Sequence, residues 1–82
     1  ILLVEDEPVV RSLARRILAG AGYSVLEAGN ATDAVAAAAT HDGPLHLLLT
    51  DVVMPGGNGR MVAERIAQLR PDVRVLFTSG YT

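Results

Sequence analysis

The chain has 82 residues, half of them hydrophobic, and a formal net charge of −2. This length allows one small domain, and the hydrophobic half excludes a disordered chain. The absence of cysteine excludes disulfides and thiolate metal sites. The seven basic residues are scattered arginines, so no basic patch predicts nucleic-acid binding, and no apolar run approaches the roughly 20 residues that span a bilayer.

The first predicted unit is a buried strand followed by a helix. Residues 1–4 are apolar and lead into Glu5, Asp6 and Glu7. Pro8 suits the first turn of a helix, and Gly22 suits the position just after its end. The spacing predicts a buried face with Val10, Leu13, Ala14, Ile17, Leu18 and Ala21, and a solvated face with Arg11, Arg15 and Arg16.

The second unit repeats this order with smaller side chains. Residues 24–28 form a short predicted strand, and Asn30 with Asp33 three residues later resembles a capping box. The helix over residues 31–39 should lie close to the sheet because its apolar face is small. That face comprises Ala31, Ala34, Val35 and Ala38.

The third strand is the apolar run that starts at residue 45 and ends at Asp51, before a loop rich in Pro and Gly. Such a run predicts a strand buried on both faces. Asp51 then lies where parallel α/β sheets bind ligands. An aspartate at this position can equally serve only to shape the loop, and the stretch alone leaves both interpretations open.

A third helix and a fourth strand complete the chain. Val62, Ile66 and Leu69 mark the helix, and residues 73–78 form the strand, which is followed by Ser79. Strands that alternate with amphipathic helices predict a parallel sheet with right-handed crossovers. Its strand ends would bring together the polar side chains of Glu5, Asp6, Asp51 and Ser79.

Three converging carboxylates repel one another unless a counter-charge is present. A hard divalent cation supplies that charge, and Mg²⁺ typically takes one or two carboxylates together with waters and phosphate oxygens. A carboxylate can also attack a phosphoryl group and form an aspartyl phosphate. The hydroxyl of Ser79 could then hydrogen-bond the new phosphoryl group.

These motifs together resemble the receiver domain of bacterial two-component response regulators, over the whole chain. The resemblance rests on residues 4–8 (Val-Glu-Asp-Glu-Pro), 50–55 (Thr-Asp-Val-Val-Met-Pro), Gly59 and 78–81 (Thr-Ser-Gly-Tyr). It implies a three-layer αβα fold with a doubly wound, flavodoxin-like parallel sheet of order 2-1-3-4-(5). Residues 1–82 would form a receiver domain that is incomplete at its C-terminus.

The resemblance also implies a role for each site residue. Asp51 would be the phosphoacceptor, Asp6 would bind Mg²⁺ directly, and Glu5 would assist through water. Val53 would offer its backbone carbonyl to the metal, and Ser79 would be the switch hydroxyl. Mn²⁺ is a possible substitute for Mg²⁺.

The implied function is that of a cytoplasmic signalling domain and not of an enzyme with a separate substrate. The domain would take a phosphoryl group from the phosphohistidine of a histidine kinase or phosphotransfer domain, and then change conformation to regulate an output or partner. It would catalyse only its own phosphorylation and dephosphorylation, without direct nucleic-acid binding or membrane insertion. The Ser-Gly-Tyr ending resembles receivers fused to hybrid histidine kinases.

The sequence departs from the family pattern in two respects. The fifth strand, with its lysine and aromatic switch residue, and the last two helices are missing. The fourth strand should therefore be an edge strand, which can pair with another chain, so residues 1–82 alone are expected to be unstable or to self-associate.

Three alternative functions differ in chemistry. A phosphatase of the haloacid dehalogenase type needs a second Asp at the position of Val53, which argues against it. A flavodoxin-type nucleotide binder would want a phosphate loop in place of the acidic residues 5–7. A receiver-like interaction module that never takes phosphate is the third alternative, and the intact acidic set argues against it.

Overall fold

The structure is a computed structural model that describes residues 1–54 and 57–78, with the backbone alone at residues 53, 54, 57 and 58. Four strands form a parallel sheet, and a short antiparallel pair precedes the third helix. In chain order the elements are β1 (Leu2–Val4), α1 (Pro8–Gly20), β2 (Leu26–Ala28), α2 (Ala31–Thr40), β3 (Leu47–Asp51), β4 (Val53–Met54), β5 (Gly57–Asn58), α3 (Gly59–Leu69) and β6 (Arg74–Thr78).

The main sheet has the order β2-β1-β3-β6, with every neighbouring pair parallel. The chain moves outwards from β1 to β2 and then crosses back to β3. Right-handed crossovers therefore place α1 and α2 on opposite faces of the sheet. The predicted doubly wound sheet of order 2-1-3-4 is confirmed, because β6 is the fourth strand of this sheet. The pair β4–β5 was not predicted and lies within the expected loop.

The core lies between the sheet and helices α2 and α3. Its fully buried members include Leu2 and Leu48 from the sheet, Ala34 and Ala38 from α2, and Ile66 from α3. The small residues of α2 allow the close approach that the sequence predicted. Val62 and Ile66 are buried as predicted, whereas Leu69 is exposed because it ends the helix beyond the core.

The C-terminus of α1 and the N-terminus of α2 are capped as the neighbouring residues predict. Gly22 has a φ of +99° just after α1, a conformation that glycine adopts without steric cost. The side chain of Asn30 accepts a hydrogen bond from the Asp33 N–H at 2.8 Å and donates one to the Asp33 carboxylate at 3.1 Å. Both capping predictions are confirmed, since each depends only on residues close in sequence.

The predicted burial of the apolar face of α1 is wrong. Val10, Leu13 and Ile17 are exposed, and α1 has no fully buried residue. The described elements that form the core pack on the other side of the sheet, so nothing among them covers this face. Of the predicted face only Ala14 and Leu18 are half-buried, together with Arg11 and Arg15, so the side of α1 that turns inwards differs from the one that helical spacing predicted.

Strands β3 and β6 are also less buried than strands that helices cover on both faces. Leu48 and Thr50 of β3 are fully buried, while the alternate positions of β3 are only half-buried. The prediction of burial on both faces is thus wrong for one face. All of β6 is exposed at the edge of the described sheet, including Val75, Leu76 and Phe77.

Arg70 connects α3 to the end of α2. Its guanidinium donates to the carbonyl of Ala38 at 3.0 Å, to the carbonyl of Gly43 at 2.8 Å, and also to the carbonyl of His41. The last carbonyls of a helix have no partner within the helix. Arg70 therefore satisfies carbonyls at and beyond the C-terminus of α2 and fixes the turn that leads into β3.

Candidate functional site

The carboxyl ends of β1 and β3 bring three acidic side chains together. The two strands are hydrogen-bonded neighbours, with Val4 opposite Thr50, so the residues that follow them lie side by side. One carboxylate oxygen each from Glu5, Asp6 and Asp51 lies within 4.8 Å of the others. The convergence of these three side chains agrees with the prediction from strand order.

Glu5 is the most buried of the three, with 9% of its surface exposed. Burial, a side-chain hydrogen bond with Asp51 and the negative charges of Asp51 and Asp6 raise the pKa of Glu5 to about 7, although the Glu7 N–H opposes this shift. That N–H donates to Oε1 of Glu5 at 3.1 Å. The group of acids therefore retains a proton up to neutral pH when no cation compensates its charge.

Asp51 is held from the other side by β6. Thr78 is its register partner in the parallel pair, and the Thr78 hydroxyl donates a hydrogen bond to Oδ1 of Asp51 at 2.6 Å. This contact was not predicted from the sequence, in which the family resemblance assigns the switch hydroxyl to Ser79. Ser79 lies outside the described residues. The available signal was Thr78 itself, a hydroxyl at the last position of the predicted fourth strand.

Gly59 lets α3 begin directly against the end of β3. Its N–H donates to the carbonyl of Val52 at 2.6 Å, and a Cβ at this position would lie 1.9 Å from the backbone oxygen of Asp51. No side chain fits in that space. The glycine belonged to the motif that carried the family resemblance, and the structure supplies its physical reason.

Arg11 links the acidic pair to β2. Its guanidinium donates to the backbone oxygen of Glu5 at 2.8 Å and lies 3.7 Å from the carboxylate of Glu27, which is also 3.4 Å from Arg15. The prediction that Arg11 belongs to a solvated face is wrong, whereas the side chain of Arg15 stays 43% exposed beside Glu27. Arg11 departs from the prediction because Glu27 on the neighbouring strand provides a carboxylate within its reach.

The site residue Val53 lies in β4, two residues after Asp51. Its role as a carbonyl ligand, like the assignment of Asp51 as phosphoacceptor and of Asp6 as the direct metal ligand, stays a prediction.

The donor set of the acidic group fits a hard divalent cation. It consists of carboxylate oxygens, the ligands that Mg²⁺ and Ca²⁺ prefer. The proton that Glu5 retains indicates that the uncompensated negative charge is costly. Glu5, Asp6 and Asp51 could thus hold a metal ion.

Among the helices described here, none combines the length and apolar character that a membrane span requires.

Comparisons with known proteins identify the family of this chain. The family model of the response regulator receiver domain matches residues 1–82. The sensor kinase CckA of Brucella abortus is 36% identical over 81 residues, which are 99% of this chain and 9% of that protein. The chain thus spans a small part of this relative's length.

Two solved structures share the fold. The receiver domain of the hybrid histidine kinase CckA superposes with a TM-score of 0.91 at 41% identity, over 98% of this chain and 74% of that one. A response regulator from Burkholderia pseudomallei, solved with a phosphorylated aspartic acid, calcium and citrate, gives 0.89 at 26% identity, over 99% and 46%. Because the family model matches residues 1–82, the chain belongs to the response regulator receiver domain family.

Proposed function

We propose that this chain is a phosphoacceptor domain of a two-component phosphorelay in which Asp51 receives the phosphoryl group. The observation that carries this proposal is the placement of the Asp51 carboxylate at the end of β3, within 4.8 Å of the oxygens of Glu5 and Asp6. The phosphorylated aspartic acid in the Burkholderia pseudomallei relative supports it. The phosphoryl donor is the phosphohistidine of a histidine kinase or phosphotransfer domain.

In the proposed reaction one carboxylate oxygen of Asp51 donates an electron pair to phosphorus. With a phosphohistidine donor the N–P bond breaks, and its electron pair leaves with the imidazole. With acetyl phosphate the P–O bond to the acetyl group breaks and acetate leaves. Each step yields an acyl phosphate on Asp51 and requires an ionised carboxylate.

Asp6, Glu5 and Asp51 are proposed to hold Mg²⁺, with the backbone carbonyl of Val53 as a further ligand. Mn²⁺ has similar oxygen-ligand chemistry and could replace it. A bound Mg²⁺ supplies charge neutralisation for the phosphoryl oxygens. Glu5 must release its proton as the ion binds, so metal binding is expected to weaken as the pH falls below about 7.

The hydroxyl of Ser79 is proposed as the switch group that follows the phosphoryl group and transmits its presence. In this proposal the domain is a signalling module whose only catalysis is its own phosphorylation and dephosphorylation. The similarity to the sensor kinase CckA favours a parent of the hybrid kinase type.

Site mapping after phosphorylation tests the assignment. The full-length parent protein is incubated with acetyl phosphate and Mg²⁺, and the modified residue is identified by mass spectrometry in wild type, Asp51→Asn and the control Asp33→Asn. Asp33 lies in the first turn of α2, outside the acidic group. We expect one phosphoryl group in wild type and the control, and none in Asp51→Asn.

Two outcomes contradict the proposal. Label that persists in Asp51→Asn at the wild-type level would place the phosphoacceptor elsewhere. A folded wild-type protein that binds Mg²⁺ but takes no phosphoryl group would favour the interaction module that never accepts phosphate.

A further inference from the structure

The contact between β6 and the phosphoacceptor involves a residue that the resemblance to receiver domains left without a role. Thr78 donates to Oδ1 of Asp51 at 2.6 Å, which is the range of a hydroxyl that binds an ionised carboxylate. The contact follows from strand pairing, because Asp51 and Thr78 are register partners in adjacent parallel strands. We propose that Thr78 is a positioning residue that orients the Asp51 carboxylate for phosphoryl transfer.

The side chain of Asp51 needs a partner that fixes its rotation. The carboxylate of Asp51 can rotate about two single bonds, and the third strand ends at this residue. A hydrogen bond to one oxygen fixes the plane of the carboxylate and thereby the direction of the second oxygen. In-line attack on phosphorus requires such alignment, and misplacement by about 1 Å can cost up to about 10²-fold in rate.

The packing of Thr78 gives no alternative reason for its hydroxyl. Thr78 is exposed at the end of an edge strand, in which the three preceding residues are apolar. Valine has the same branched shape and an equally high preference for strands. Since the strand itself needs only that shape, the hydroxyl is explained by its bond to Asp51.

The geometry also separates Thr78 from the metal ligands. Thr78 approaches Asp51 from β6, whereas Glu5 and Asp6 follow β1, on the opposite side of β3 in the strand order. The carboxylate of Asp51 is thus held between the acidic group and an uncharged donor. Removing that donor leaves the three carboxylates in place, and the expected defect lies in the transfer step rather than in the composition of the metal site.

The test compares phosphorylation rates at saturating Mg²⁺, so that weaker metal binding cannot limit the rate. Wild type, Thr78→Val, Thr78→Ser and the control Thr40→Val are incubated with acetyl phosphate, and the initial rate of Asp51 phosphorylation is measured. Thr40 is an exposed threonine at the end of α2, where its hydroxyl bonds a carbonyl within its own helix. Its substitution removes the same group at a position outside the site.

We expect Thr78→Val to be about tenfold slower than wild type, which is less than the full cost of misplacement because Asp51 would still be held as a ligand of the bound Mg²⁺. Thr78→Ser should be within threefold of wild type, and Thr40→Val should be unchanged. The half-saturating acetyl phosphate concentration should stay within threefold in each variant. Serine keeps the hydroxyl of Thr78 but not its branched shape, whereas valine keeps the shape but not the hydroxyl. If Thr78 had a purely structural role, valine would preserve the rate better than serine.

Several outcomes overturn the inference. These are a Thr78→Val rate within twofold of wild type, a Thr78→Ser rate as slow as Thr78→Val, and an equal loss in Thr40→Val. Thermal unfolding of each variant checks its fold, and if Thr78→Val does not fold, the comparison of Thr78→Ser with Thr78→Ala decides by the same criteria. The inference rests on the proposed function. A folded wild type that takes no phosphate on Asp51 would contradict the proposed function and the inference together. A wild type that is phosphorylated on Asp51, with a variant rate as listed above, would contradict the inference alone.

Discussion

Without a bound cation, the protein should lose stability as the pH rises from about 4.5 to 7, and Glu5 should be the cause. The pKa of Glu5 is raised from 4.5 to about 7 by burial and by its acidic neighbours. A raised pKa means that the folded state binds the proton more tightly than the unfolded state. Glu5 therefore contributes its full stabilisation below pH 4.5, and this contribution is lost as the pH rises through 7.

The size of the effect follows from the shift. At about 1.4 kcal/mol per pKa unit, the difference between 4.5 and about 7 corresponds to about 3 kcal/mol. Glu5 lies beside the exposed Asp6 and the half-buried Asp51, so solvent screening lowers this value, and about 3 kcal/mol is its upper limit. Intact small domains have a net stability of about 5–15 kcal/mol, so a change of this size is measurable in the full-length parent protein.

Urea unfolding in EDTA at four pH values between 4.5 and 8 measures the free energy of unfolding of wild type and Glu5→Gln. The other titrating groups are common to both proteins and cancel in the difference. We expect wild type to lose up to about 3 kcal/mol relative to Glu5→Gln over this range. Mg²⁺ at pH 7.5 should restore most of that loss, since the ion replaces the proton as the counter-charge.

The matched control is Glu64→Gln, at an exposed position of α3. Its unfolding free energy should follow wild type at every pH. The reasoning is refuted by curves for wild type and Glu5→Gln that stay parallel across the whole range, or by a wild type that gains stability over Glu5→Gln as the pH rises.

Three further predictions concern the surroundings of the site. Gly59→Ala should lower the free energy of unfolding by about 1–3 kcal/mol in urea titrations, because its Cβ would lie 1.9 Å from a backbone oxygen; Gly20→Ala, with nothing within 4 Å, should not be destabilising. Arg70→Lys should cost about 1–2 kcal/mol in the same assay, because one ammonium cannot reproduce a planar fork that bonds several separate carbonyls. In divalent-ion titrations Asp6→Asn should weaken Mg²⁺ binding more than Glu5→Gln, since the family geometry assigns direct contact to the second acid; a larger loss in the Glu5 variant would reverse these roles.

The parts of the fold that the sequence could predict depend on local or topological signals. Asn30 caps α2 through a residue three positions away, and Gly22 ends α1 through its own backbone conformation. The convergence of Glu5, Asp6 and Asp51 needed only the rule that parallel strands end at one edge. None of these predictions required knowledge of which side chains touch across the sheet.

The missed features depend on contacts between distant residues. The contact of Thr78 with Asp51 depends on the register between β3 and β6, and a shift by one residue reverses the side of the sheet that a side chain occupies. Arg70 bonds carbonyls about 30 positions away in the chain. The exposure of α1 depends on what covers it, which helical spacing does not indicate.

The acidic group of Glu5, Asp6 and Asp51 destabilises the fold locally, and contacts from other elements hold it in place. Glu5 would be less costly as a neutral residue at pH 7, because the raised pKa of its carboxyl records a charge that the folded protein accommodates poorly. Contacts from other elements nevertheless fix the chain on both sides of it: Arg11 on the backbone of Glu5, Gly59 against the backbone of Asp51, and Thr78 on its carboxylate. A fold selected for stability alone would remove the repulsion instead of supporting it. The retention of three adjacent carboxylates, held by contacts from several elements, is therefore consistent with the proposed site for a cation and a phosphoryl group.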